Sequence, residues 1–197
     1  MSKAVTVYYA LQSPWTYLGW PRFMDLATER NLDVDYCPIK TAPVFAASGG
    51  LPLAKRPVQR QAYRMMELKR WRDVLGLPLT LERKFFPTDE AQGALMAIAH
   101  GQSSGDIANL SYAMMRAVWV EERDISDQAT LLAIASEQGL DGSALLVASK
   151  TEPAADAYEA NTKAAIQADV FGVPTFAVGS ELFWGQDRLD LLARALA

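Results

Sequence analysis

Strand patterns occur only near the two ends of this chain, and the long stretch between them has the periodicity of helices. Residues 5–10 are β-branched and aromatic, and residues 32–39 alternate apolar and polar side chains, as half-buried strands do. Between them, Ser13-Pro14 is a typical helix start, with serine at the N-cap and proline at the first helical position. These elements predict a βαβ unit with parallel strands and a right-handed crossover.

The segment near the C-terminus predicts a hairpin followed by a helix. Residues 172–178 read as a strand that begins with a proline, and Gly179-Ser180 is a two-residue turn into residues 181–184. A last helix is expected over residues 188–197. Together with the N-terminal unit, the order βαβ…ββα with a proline opening the third strand predicts an α/β chain with a thioredoxin-like fold.

The middle of the chain predicts only helices. Residues 57–75 form a strong helical pattern, and Ser126 is the expected N-cap of a later helix. We therefore expect a discontinuous thioredoxin-like domain, residues 1–40 and 169–197. A large all-helical insertion domain, residues 41–168, interrupts it.

Scarce residues exclude several kinds of chemistry. The chain has one cysteine, Cys37, and one histidine, His100, so it can form neither an internal disulfide nor a Cys-x-x-Cys redox pair nor a Cys/His zinc site. Its formal net charge of −4 argues against nucleic-acid binding. The first residues read as a strand rather than a signal peptide, and no apolar run is long enough for a membrane span. We expect a cytoplasmic protein with neither nucleic-acid nor membrane partners.

The first candidate site is the segment Ser13-Pro14-Trp15-Thr16. In thioredoxin-like proteins the reactive Cys-x-x-Cys begins the first helix, whose free N–H groups and positive potential stabilise a thiolate. Both cysteine positions are hydroxyl residues here, so the chain cannot exchange dithiols by itself. Ser13 can still donate a hydrogen bond to a thiolate brought in by a small molecule such as glutathione. The alternative is that Ser13 is only a helix cap.

Two C-terminal segments are further candidates. Val173-Pro174 at a strand entry is a candidate cis bond, which would offer the Val173 backbone to an extended peptide-like ligand. Trp184, Gln186 and Asp187 lie at the start of the last helix, where backbone N–H groups bind carboxylates and an aspartate can take an ammonium group. The alternatives are an edge-strand proline and a capping aspartate.

A basic segment begins the helix predicted over 57–75. Three arginines spaced by four residues share one helix face and could bind a carboxylate. The alternative is a solvated face paired with Glu67 and Asp73, which we expect for most of these side chains. The basic residues are Lys55, Arg56, Arg60, Arg64, Lys69 and Arg70.

Taken together, these motifs resemble those of the glutathione-dependent 2-hydroxychromene-2-carboxylate isomerases. The chain is also similar to the related kappa-class glutathione transferases, within the DsbA-like group. The resemblance covers essentially the whole length. Its most specific segments are Ser13-Pro14 with Tyr17-Leu18, residues 171–176 and residues 185–189.

The resemblance implies that glutathione is the cofactor and is held in extended form. Ser13 would bond the glutathione sulfur, Val173 would pair with its backbone beside cis-Pro174, and Gln186 and Asp187 would hold the γ-glutamyl group. Family members carry an Asn and a Lys after the second strand. Here that loop has no Asn, and the substitutes for the carboxylate contacts are Lys55 and Arg56.

The expected partners are glutathione and a small acidic aromatic substrate, with a homodimer as the assembly. The expected reaction interconverts 2-hydroxychromene-2-carboxylate and trans-o-hydroxybenzylidenepyruvate, as in aromatic catabolism. A glutathione transferase or peroxidase and a non-catalytic thioredoxin-like binding protein are the alternatives.

Overall fold

A computed structural model describes residues 3–84 and 89–197 of the chain. Its N-terminal part is the βαβ unit predicted from the sequence. Strands β1 and β2 are parallel, with Val5 opposite Val34. The crossover helix α1 has Ser13 at its N-cap. The bounds are β1 Ala4–Tyr9, α1 Pro14–Glu29 and β2 Asp33–Pro38.

A C-terminal hairpin completes the sheet, as predicted. Strand β3 runs antiparallel to β1, with Val7 opposite Phe176, and β4 pairs antiparallel with β3. The four strands lie in the order β2-β1-β3-β4. A 3₁₀ turn follows the hairpin, so the last helix starts one residue later than predicted. The bounds are β3 Thr175–Val178, β4 Glu181–Trp184, the 3₁₀ turn Gln186–Arg188 and α9 Leu189–Ala195.

The described residues between β2 and β3 are helical or irregular, which agrees with the predicted helical insertion. The segment after β2 contains α2 and a short 3₁₀ turn, Leu53–Lys55. The bounds are α2 Thr41–Ser48, α3 Val58–Leu75, α4 Ala91–Ser104, α5 Ile107–Trp119, α6 Gln128–Glu137, α7 Gly142–Ala148 and α8 Glu152–Gln167.

One predicted helix start is wrong by a residue. Asp127, not Ser126, is the N-cap of α6, because its carboxylate accepts the Thr130 N–H at 2.8 Å. The Ser126 hydroxyl instead donates to Asp124 Oδ1 at 2.7 Å. Serine and aspartate are equally good caps, so the sequence alone does not rank two adjacent candidates, and here the Ser126 hydroxyl is bound to Asp124 instead.

The main hydrophobic cluster draws side chains from both parts of the chain. Val7 of β1, Trp20 of α1 and Met114 of α5 are all buried in it. A buried hydrogen bond of 2.7 Å also joins the hydroxyls of Tyr9 and Ser111, across the predicted domain boundary. The division into two domains stays a prediction. Within residues 3–84 and 89–197, no helix has the length and apolar character needed to cross a membrane.

Candidate active site

Ser13 lies where β1 turns into α1, with its side chain half-buried. Its Oγ accepts the Thr16 N–H at 3.2 Å, which makes it a true N-cap, and it points toward the Val173 carbonyl oxygen at 3.5 Å. Proline at the next position leaves no donor there. The hydroxyl therefore lies at the positive end of a sixteen-residue helix and faces the loop before β3.

The second hydroxyl of the segment has a different environment. Thr16 is almost fully buried, and its Oγ1 has no hydrogen-bond partner among the described residues. Thr16 is absent from the cavity walls described below. Of the two positions that hold cysteines in dithiol enzymes, only Ser13 is therefore available to a ligand.

The Val173–Pro174 peptide bond is cis, as the sequence predicted. Pro174 is buried and its carbonyl oxygen accepts the Gly185 N–H at 2.9 Å, which ties this loop to the end of β4. Val173 is half-buried and forms part of two cavity walls. The residue before the proline, and not the proline itself, is the one that a ligand can reach.

An aromatic pair frames the cleft beside Val173. The rings of Phe171 and Trp184 lie 4.8 Å apart between centroids, and both side chains are exposed. A Cβ at Gly172 would lie 2.5 Å from Trp184 Nε1, so only glycine allows the indole to lie against this loop. Large exposed apolar side chains at a cavity mouth are typical of a ligand site.

Gln186 and Asp187 lie together at the 3₁₀ turn but differ in accessibility. Gln186 is buried, and both its carbonyl and its Oε1 lie 3.4 Å from Arg22 Nη1. Asp187 is exposed and forms an ion pair with Arg188 at 2.7 Å. Asp187 does not cap α9, since no side-chain cap is formed there. A cationic ligand group can reach the Asp187 carboxylate.

Two adjoining cavities, of about 470 and 580 Å³, form one cleft between the thioredoxin-like part and α3. Ser13 lies in the wall of the larger cavity, and Gln186 and Asp187 lie in the wall of the smaller one. Six residues line both cavities: Trp15, Arg56, Arg60, Arg64, Val173 and Trp184.

The basic residues of the α3 region divide into two sets. Arg70 pairs with Glu67, which also lines the smaller cavity, and Asp73 pairs with both Lys69 and Arg72. Of the six predicted basic residues, all of which the structure describes, only Lys69 and Arg70 form the expected pairs, so the expectation that most of them would do so is wrong.

The other set is Arg56, Arg60 and Arg64, which line the cleft and have no ion pair within the described part of the chain. Burial, together with the charges of Arg56 and Arg83, lowers the pKa of Arg64 to about 10. An arginine this perturbed remains charged at neutral pH but lacks a neutralising anion. The arginines therefore make this wall of the cleft a site for anionic groups.

The cleft thus brings together most of the site residues predicted from the sequence. Lys55 and Pro174 are the exceptions, because Lys55 is exposed in the 3₁₀ turn before α3, Pro174 is buried, and neither lies in a cavity wall. Their roles stay predictions, as do the ligand contacts of the others. Sequence reasoning missed Glu90, which lies in the wall of the larger cavity with Ser13.

Comparisons with known proteins agree with this fold. The family model of the DSBA-like thioredoxin domain matches residues 4–197. A 2-hydroxychromene-2-carboxylate isomerase of Sphingobium xenophagum is 30% identical over 98% of this chain and 97% of its own length.

Solved structures point to the same family. A selenomethionine 2-hydroxychromene-2-carboxylate isomerase superimposes with a TM-score of 0.82 at 28% identity, over 98% of this chain and 94% of that one. The cytosolic disulfide reductase DsbM of Pseudomonas aeruginosa, solved with GSH, shares the fold at a TM-score of 0.67 and 21% identity, over 97% and 99% of the two chains. The chain therefore belongs to the DSBA-like thioredoxin-domain family, in which it groups with the 2-hydroxychromene-2-carboxylate isomerases.

Proposed function

We propose that this protein is a glutathione-dependent isomerase that interconverts 2-hydroxychromene-2-carboxylate and trans-o-hydroxybenzylidenepyruvate in the cytoplasm. The observation that carries the proposal is the Ser13 hydroxyl, placed at the start of α1 and facing the cleft. A thioredoxin-like fold offers a thiolate site at this point. The only cysteine of the chain, Cys37, is buried on β2 and does not lie at this position. The thiol must then come from a ligand.

The residues of the cleft fit glutathione as an extended, peptide-like thiol. Ser13 would donate a hydrogen bond to the sulfur, and the half-buried Val173 would pair its backbone with the ligand's. The exposed carboxylate of Asp187 would take the α-ammonium group, beside Gln186 and the Trp184 ring. Arg56, with Lys55 nearby in sequence, would meet the glycyl carboxylate.

The remaining part of the cleft fits an acidic aromatic substrate. Trp15, Tyr63 and Trp71 line the smaller cavity and offer flat apolar walls. Arg60 and Arg64 line the same cavity and lack carboxylate partners among the described residues, so they can bind a substrate carboxylate. A homodimer is the assembly that the family resemblance suggests, and it is part of the proposal.

The chemistry follows from the reactivity of a thiolate held beside a conjugated ligand. Glutathione supplies a nucleophilic sulfur that adds reversibly to a conjugated carbon of the substrate. The opened substrate then rotates about the former double bond. The sulfur leaves again, and glutathione is released unchanged. Ser13 and the N-terminal amides of α1 hold the sulfur as a thiolate. The arginines fix the substrate carboxylate and orient the conjugated system toward Ser13.

An assay of the two substrates with and without glutathione tests this function. We expect isomerisation only when glutathione is present, with no loss of free thiol, because the thiolate is expelled at the end of each turnover. S-methylglutathione should not support the reaction, since its sulfur cannot add.

Two results would contradict the proposal. Loss of free thiol with a generic electrophile, and no isomerisation, would favour a glutathione transferase or peroxidase. Failure of glutathione to bind in calorimetry would favour a non-catalytic thioredoxin-like binding protein.

A further inference from the structure

A carboxyl group that the proposed mechanism does not use lies in the same cavity as Ser13. Glu90 occupies the N-cap position of α4, yet its side chain does not cap that helix. Asp89 accepts the Ala91 N–H instead, at 2.8 Å. The Glu90 side chain reaches the thioredoxin-like part, where Oε2 accepts the backbone N–H of Gln12 at 2.8 Å.

The Glu90 carboxyl binds the backbone of the turn that leads directly into α1. The Ser13 N–H donates to the Ala10 carbonyl at 3.1 Å and closes this turn, with Leu11 and Gln12 at its centre. Both central N–H groups interact with the Glu90 carboxyl. The Glu90 carboxyl thus contacts the turn that ends at Ser13, whose hydroxyl would bind the sulfur.

The surroundings of Glu90 bring the pKa of its carboxyl close to neutral pH, so that both its ionised and its protonated forms are accessible. Burial raises the pKa of the Glu90 carboxyl to about 7, with a further contribution from the charge of Asp89, while the Gln12 and Leu11 amides oppose the rise. Tyr158 of α8 also interacts with it electrostatically. The other charged groups in the wall of the same cavity are Arg56, Arg60 and Arg64.

A second anion in this cavity favours the protonated form of the Glu90 carboxyl. Like charges disfavour one another in a partly dehydrated site, so an arriving thiolate raises the affinity of the Glu90 carboxylate for a proton. We propose, resting on the function proposed above, that Glu90 takes up the proton that the glutathione thiol gives up when it is held as a thiolate at Ser13. The S–H bond of the ligand breaks and an O–H bond forms on Glu90, and the reverse happens when glutathione leaves. The net charge of the site is then unchanged by thiolate formation.

Calorimetry in two buffers of different ionisation enthalpy counts the protons released on binding. At about pH 7.5, we expect Glu90→Gln to release about half a proton or more beyond wild type when glutathione binds, because the amide cannot take up a proton. His100→Gln is the matched control, since His100 is the only histidine of the chain. It should release the same number as wild type.

A second measurement does not depend on the folding of the Glu90 variant. In wild type and in His100→Gln, the ultraviolet absorbance of bound glutathione counts the thiolates formed at the same pH, and we expect clearly fewer protons released than thiolates formed. Equal proton release by wild type and Glu90→Gln, or one proton released for each thiolate formed in wild type, would overturn the role of Glu90 and leave the glutathione site intact. Absence of glutathione binding to wild type would overturn the proposed function and this role with it.

Discussion

Ser13→Ala is expected to lower kcat/KM of the glutathione-dependent isomerisation by about 10- to 100-fold, since a hydrogen bond to a charged group contributes roughly 1.5–3 kcal/mol. The alanine side chain cannot donate to the sulfur, so the pKa of bound glutathione should rise by about one to two units. Loss of the helix cap should also lower the free energy of unfolding by about 1 kcal/mol. Steady-state kinetics and urea unfolding measure the two effects.

Ser13→Thr separates the hydroxyl from the rest of the side chain. Threonine retains both the hydrogen-bond donor and the capping oxygen. We expect this variant to keep most of the activity and stability that Ser13→Ala loses. Full activity of Ser13→Ala, with only its stability reduced, would mean that Ser13 is a helix cap and nothing more.

Arg64→Met is expected to lower activity without lowering stability. Removing the guanidinium from the cleft wall should raise KM for the acidic substrate and lower kcat/KM by about 10- to 100-fold, as expected for loss of a charge-assisted contact. The free energy of unfolding should stay equal or rise, because burial and neighbouring cations already disfavour the charged form of Arg64. Kinetics with each reactant varied in turn, together with urea unfolding, test both expectations.

Arg70→Met is the matched control on the same helix. Arg70 is exposed, lies in neither cavity wall and pairs with Glu67, and a surface ion pair of this kind contributes little to stability. This variant should leave both kinetic constants unchanged and lower stability slightly. If Arg64→Met behaved in the same way, the arginine wall would not bind the substrate.

The fold and the centre of the site were predictable because their signals are local. Two adjacent residues, Ser13-Pro14, indicate a helix start, and Val173-Pro174 indicates a strand entry in the same way. The spacing of Arg56, Arg60 and Arg64 predicted one shared helix face; all three line the cleft, although α3 begins at Val58 and Arg56 precedes it. The spacing could not show which basic residues of this segment pair with the acidic ones. That division depends on how α3 is rotated against the cleft.

Other features depend on contacts between distant segments, which leave no mark in the sequence. Glu90 reaches a backbone amide 78 residues away, and every residue except proline carries such an amide. Thr16 is equivalent to Ser13 in the motif, yet packing buries it. Gln186 lies in the predicted ligand segment, but its side chain is directed toward Arg22.

The central claim is that this chain binds the thiol of glutathione as a thiolate at Ser13. A pH titration of the ultraviolet absorbance of bound glutathione measures it directly, in wild type and in Ser13→Ala. We predict that the bound thiol ionises about one unit or more below free glutathione in wild type, and that Ser13→Ala removes most of this shift. A bound thiol that titrates like the free molecule in wild type would contradict the claim.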